Sequence, residues 1–210
     1  MAEELVFYTN PQSRGQIARW MLEEVGAPYR VEPVRYGDEM KSPSYRQINP
    51  MGKVPAIRHG DQVVTETAAI CAYLADAFPE AGLAPPVDQR GAYYRWLFFG
   101  AGPLEAAVAN KTIGFEPSAD HEMTLGFGNL GTVMDVLEAE LTAREYIAGD
   151  RFTAADVYIG AHITWGVNMM HTLEKRPAFI DYAERMNARP AQQRASALDE
   201  ELASELNLGA

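Results

Sequence analysis

Residues 54–78, VPAIRHGDQVVTETAAICAYLADAF, carry the pattern from which the fold is read outward. Val54-Pro55-Ala56-Ile57 and Gln62-Val63-Val64-Thr65 are short strand-like runs on either side of His59-Gly60-Asp61, a compact hairpin signal. From Glu66 to Phe78 the apolar spacing becomes helical. The stretch is therefore strand, strand, helix.

Upstream, Leu5-Val6-Phe7-Tyr8 is an apolar run closed by the turn-forming Thr9-Asn10-Pro11, and reads as a buried strand. Ile17, Ala18, Met21, Leu22 and Val25 recur at helical spacing, with Gly26 as a C-terminal stop. Tyr29-Arg30-Val31-Glu32 alternates like a half-buried strand, so a parallel pair joined by a helix follows. Residues 36–51 are polar and contain Gly37, Pro43 and Pro50, which predicts loop with at most a short helix. Together these elements make a small mixed sheet with helices packed on it.

Downstream, Leu83-Ala84-Pro85-Pro86 cannot continue a helix, because consecutive prolines lack the N–H donor and clash with the preceding turn. The expected organisation is a first domain over residues 1–80, a linker over 81–88 and an all-helical domain over 89–210. Its helices fall near 89–114 with a kink at Gly100-Ala101-Gly102-Pro103, and near 120–142, 153–171, 177–188 and 191–206.

The 210 residues are 47% hydrophobic and 22% charged, which suits a folded globular chain and not a disordered one. A formal net charge of -11 repels polyphosphates and no Lys/Arg run offsets it, so a nucleic-acid partner is not expected. The start MAEELVFYTN has acids where a signal peptide needs bases, and no apolar run approaches the ~20 residues that span a bilayer. A cytoplasmic protein without a membrane partner is the expectation. The single Cys71 lies in the apolar helical run AAICAYL and reads as a buried filler. His59, His121, His162 and His171 have no metal-ligand spacing, so no metal is expected.

Four segments in order, YTNPQSRGQIARWMLEEVGAPY, NPMGKVPAI, TETAAICAYLADAFP and GDRFTAADVYIG, closely resemble the cytosolic glutathione S-transferases, especially the bacterial ones. The likeness spans essentially the whole chain. It implies a thioredoxin-like N-terminal domain, an all-helical C-terminal domain, glutathione as co-substrate and a homodimer. It also implies a thiolate of glutathione attacking an electrophilic, largely apolar second substrate. The same thiolate serves peroxide reduction, reductive or lyase chemistry, and the family includes non-catalytic binding or scaffold domains.

Several residues carry the resemblance into chemistry. Val54-Pro55 is a cis-prolyl candidate at a strand start; by resemblance Val54 pairs with the cysteinyl backbone of glutathione, a small strand addition. Glu66-Thr67 opens a helix, where free N–H groups and the dipole favour an anion. Thr67 can then hold the γ-glutamyl carboxylate while Glu66 offers charge to its ammonium, and the resemblance implies that Lys53 reaches the glycyl carboxylate. Both segments also have plain readings, as an edge-strand proline and an ordinary helix cap.

The thiol activator has three candidates. Ser13 stands at the start of the first helix with Arg14 beside it as added positive charge. Ser13 and Gln16 also form a Ser-x-x-Gln capping box, which would occupy the hydroxyl in the fold. Tyr8, at the end of the first strand, and Asn10 are the alternatives. No cysteine stands at the site, unlike in some classes of the family. For the second substrate, Phe98, Phe99, Trp165 and Met169 are the expected acceptor pocket, although aromatic residues at helical spacing also serve as core. Thr153 and Asp156 form a second capping box, with Phe152 and Val157 around it, and read as a folding device.

Overall fold

The computed structural model describes residues 3–208; Met1, Ala2, Gly209 and Ala210, at the outer ends of the expected domains, lie outside the described residues. The chain begins β1 (Leu5–Thr9), α1 (Gly15–Val25), β2 (Arg30–Pro33), α2 (Pro43–Arg46), β3 (Ala56–His59), β4 (Gln62–Thr65) and α3 (Thr67–Ala77). The sheet order is β2-β1-β3-β4. β1 runs parallel to β2 and antiparallel to β3, and β4 is antiparallel to β3. A parallel neighbour needs a crossover, which α1 provides. α1 and α3 pack on each other, and Phe7, Ile17, Met21, Leu22, Ile57, Ile70 and Leu74 are fully buried. Cys71 is buried among them, and burial pushes its thiol far above the reactive range, as a packing residue requires.

A second unit runs from Leu83 to Ala188. It contains α4 (Gly91–Phe99), α5 (Glu105–Thr112), α6 (Ala119–Glu122), α7 (Leu130–Ala143), α8 (Ala154–Thr164) and α9 (Pro177–Asn187), with π turns at Gly100–Leu104 and Trp165–Met169. Pro103 lies inside the first π turn, where the kink was expected. A Cβ at Gly100 would come 2.7 Å from the Tyr158 ring and 2.9 Å from Ile159, so glycine lets this segment lie against α8. The helix expected over 120–142 is two helices, separated at Gly128, whose φ of 62° is left-handed. Asn129 then opens α7 by accepting the Thr132 N–H at 2.8 Å.

The start of α8 carries the expected capping box. Asp156 Oδ2 accepts the Thr153 N–H at 2.9 Å and the Thr153 hydroxyl at 3.0 Å. Its Oδ1 accepts the Ile147 N–H at 2.7 Å and the Tyr182 hydroxyl at 2.8 Å. Burial pushes the Asp156 pKa up, and these four bonds pull it back.

α10 (Pro190–Glu205) groups with the first unit rather than with the other helices. The expected helical domain over 89–210 differs here, because charges on α10 meet charges on α1. Arg19 Nε lies 2.7 Å from Asp199 Oδ1 with both side chains buried. Arg189 donates to both oxygens of Glu24 at 2.6 and 2.8 Å, and Arg194 reaches Glu23 at 3.2 Å. Burial pushes the Asp199 carboxyl up to about 6, against the downward pull of Arg19.

Candidate functional site

The register of the sheet aligns Tyr8 with Ala56 and Ala56 with Thr65. β1 therefore ends, β3 begins and β4 ends along one edge. Three segments emerge there: the turn Asn10–Arg14 into α1, the approach Lys53-Pro55 into β3, and Glu66-Thr67 into α3. Neighbouring strands lie about 4.8 Å apart, so β1 and β4 are separated by roughly 10 Å. This is about the length of an extended tripeptide.

Each segment is held by its own bonds. In the first, Val34 N–H donates to Thr9 O at 2.7 Å, and Asn10 Nδ2 donates to Val34 O at 3.1 Å. Asn10 Oδ1 accepts the Gln12 N–H at 3.0 Å. The buried Asn10 amide thus uses both its ends to pin the turn. Ser13 Oγ donates to Asn10 O at 2.6 Å and accepts the Gly15 N–H at 2.9 Å. The Ser13–Gln16 capping box is not what forms. Gln16 Nε2 instead donates to Pro11 O at 2.6 Å, and the helix begins two residues after Ser13. A Cβ at Gly15 would collide with Thr9 Oγ1 and lie 3.0 Å from Ser13 Oγ, so only glycine lets the turn close against β1. Arg14 is the exposed residue preceding the helix.

In the second segment, the Val54–Pro55 peptide is cis. The Lys53 carbonyl accepts the Tyr45 hydroxyl at 2.8 Å and Asn49 Nδ2 at 2.7 Å. Burial raises the Tyr45 pKa and keeps the phenol a donor. Among the described residues, none bonds the backbone amide or carbonyl of Val54, while its side chain packs against Val34, Met40 and Tyr45. Lys41 Nζ donates to Met51 O at 3.2 Å and Gly52 O at 2.6 Å, so a second ammonium is held against the backbone that leads into the exposed Lys53. Sequence pattern did not single out Lys41, because only the folded loop brings residues 41 and 52 together.

In the third, Glu66 has φ 66° and ψ 115°, a conformation that non-glycine residues rarely adopt and that costs on the order of 1–3 kcal/mol. It is exposed, and no side chain caps the helix that Thr67 begins. Thr67 itself is buried.

The remaining expected site residues make other contacts. Tyr8 turns toward α2, its ring 6.1 Å from that of Tyr45, and joins the Val34, Met40, Ile48 and Val54 cluster. In the second unit, Phe98 is 73% and Met169 65% exposed. Phe99 stacks edge-on with Trp96 at 5.2 Å, and Trp165 lies 6.0 Å from His162. A cavity of about 180 Å³ in that unit is lined by Phe115, Pro117, Phe127 and Leu130 among others, and by none of the four expected acceptor residues. No cluster of His, Cys, Asp or Glu among the described residues is placed to hold a metal, and no described helix is long and apolar enough to cross a membrane.

A four-stranded mixed sheet with a cis proline opening its third strand, followed by a helical unit, defines the thioredoxin-like plus all-helical class. Family models agree: residues 13–77 match the glutathione S-transferase N-terminal domain and residues 120–190 the C-terminal domain. Glutathione S-transferase GstA of Escherichia coli O157:H7 is 31% identical over 155 residues, 72% of this chain and 76% of that one. Glutathione S-transferase F9 of Arabidopsis thaliana is 32% identical over 148 residues, 65% of this chain and 68% of that one. The crystal structure of a Methylococcus capsulatus glutathione transferase superposes with a TM-score of 0.74 at 29% identity, covering 93% of this chain and 98% of that one. The chain belongs to the glutathione S-transferase family.

Proposed function

We propose that this chain is a glutathione transferase, with glutathione lying along the sheet edge where β1 ends, β3 begins and β4 ends. The observation that carries this reading is the alignment Tyr8, Ala56, Thr65, which gives three ligand-facing segments a common edge. The unbonded Val54 backbone takes the cysteinyl peptide as one more strand. The uncapped start of α3 takes the γ-glutamyl carboxylate on Thr67, and Glu66, held in its strained conformation, faces the ammonium. Lys53 and Lys41 attract the glycyl carboxylate. A sphingomonad glutathione S-transferase solved in complex with glutathione, 25% identical and covering 93% of this chain with a TM-score of 0.73, supports the ligand.

The sulfur then falls at Ser13, at the start of α1. A free thiol ionises near pH 8.5, so at pH 7 only a few per cent is thiolate. A donated hydrogen bond, the α1 dipole and the Arg14 charge each favour the anion. The thiol proton passes to solvent, the sulfur forms a bond to the electrophilic carbon, and the leaving group departs with its electron pair. Ser13 is favoured over Asn10, which is fully buried while Ser13 is half-exposed at the helix start, and over Tyr8, whose ring is absorbed in the apolar cluster. The family likeness also supports a cytoplasmic homodimer.

Calorimetric titration with glutathione, followed by turnover of an aryl halide, tests the reading. Micromolar-to-millimolar binding with measurable conjugation is expected. Absence of binding at millimolar glutathione would refute the site, and binding without turnover would refute the transferase activity.

A further inference from the structure

Tyr36 lies in the loop between β2 and α2. Its hydroxyl donates to the Gln12 carbonyl at 3.0 Å, one residue before Ser13, and the side chain is 55% exposed. Burial raises the phenol pKa, against the downward pull of the Arg14 charge. The phenol therefore stands over the same helix start as the proposed thiol site.

Ser13 alone is a constrained donor. It has one proton, and that proton makes the 2.6 Å bond to Asn10 O, while the lone pairs take the Gly15 N–H. Turning the hydroxyl to a sulfur breaks a short bond inside the turn. The Tyr36 proton rests in a longer bond to the carbonyl of an exposed residue, which water can satisfy once the phenol turns away. A phenol is intrinsically a more acidic hydroxyl than that of serine, and so the stronger hydrogen-bond donor to an anion.

We propose that the Tyr36 hydroxyl is a second hydrogen-bond donor to the glutathione thiolate, acting beside Ser13. This rests on the glutathione site described above. The phenol keeps its proton, and the thiol proton leaves to solvent as before.

The test uses the full chain with Tyr36→Phe, reading the pH midpoint of bound glutathione from thiolate ultraviolet absorbance, together with kcat and KM. The midpoint should rise by about one unit and neutral-pH kcat fall about five- to tenfold, with the glutathione KM within about twofold of the parent. Placing 3-fluorotyrosine at position 36 makes the phenol more acidic and should move the midpoint below that of the parent protein, which a purely structural role would not do. If both substitutions leave the midpoint unchanged while the parent binds and ionises glutathione, the proposal is overturned and the site reading stands. If the parent does not bind glutathione, both fall together.

Discussion

The starts of α3 and α8 both pair a threonine with an acid, yet they are built in opposite ways. At α8 the Asp156 carboxylate is fully buried and accepts four hydrogen bonds, two of them from Thr153. At α3 the acid precedes the threonine, is exposed, caps nothing and sits at φ 66°. One helix start spends its polar groups on the fold. The other exposes its acid, leaves the helix start without a side-chain cap and holds a strained backbone, which is where a ligand gains by binding. Similar residue types thus separate into a folding device and a candidate site according to whether their hydrogen bonds are already made.

The largest effect that this contrast predicts is at Asp156. Asp156→Ala leaves the Ile147 amide, the Thr153 amide and the Tyr182 hydroxyl without their acceptor, and should lower stability by about 3–5 kcal/mol in thermal or urea unfolding. Glutathione affinity per folded molecule should stay unchanged. Next, Ser13→Ala should raise the thiol midpoint by about 1–2 units and lower kcat by about tenfold to a hundredfold, at a stability cost of only about 1 kcal/mol. Tyr8→Phe should move neither the midpoint nor kcat appreciably; a shift as large as that of Ser13→Ala would transfer the role to Tyr8.

The α1–α10 contact gives a pH signature. With its carboxyl raised from 3.8 to about 6, folded Asp199 holds a proton that the unfolded chain has released between those values. Its contribution is greatest near pH 4, falls as pH rises toward 6 and is flat above. Compared with the parent, Asp199→Asn should gain relative stability by about 2 kcal/mol between pH 4 and pH 7, measured by urea unfolding at each pH. A stability difference independent of pH would contradict the assignment. A smaller effect on stability is expected at Glu66. Glycine tolerates φ 66°, so Glu66→Gly should stabilise the fold by about 1 kcal/mol while weakening glutathione about tenfold, as melting and calorimetry would register. A variant that gains stability and keeps full affinity would sever strain from function.

The difference between these two helix starts was only half legible in the sequence. Thr153 and Asp156 stand at capping-box spacing, and that box forms. The hairpin around Gly60 and the strand from Leu5 are equally local patterns, and both appear. The left-handed φ of Glu66 leaves no such mark, because nothing in a non-glycine residue type announces it. Ser13 and Gln16 had the spacing of a box that does not form, since Gly15 lets the turn close against Thr9 and draws Gln16 to Pro11 instead. Lys41, Tyr36 and the docking of α10 on α1 depend on contacts between residues far apart in the chain, which periodicity does not report.

Amide chemical-shift mapping with added glutathione tests the three-segment site most directly. Resonances of Ser13 to Gly15, Lys53 to Val54 and Glu66 to Ala68 should move together in one saturable titration, while those of Thr153 and Asp156 stay still. Shifts confined to the second unit, or none at the three segments under saturating tripeptide, would contradict it.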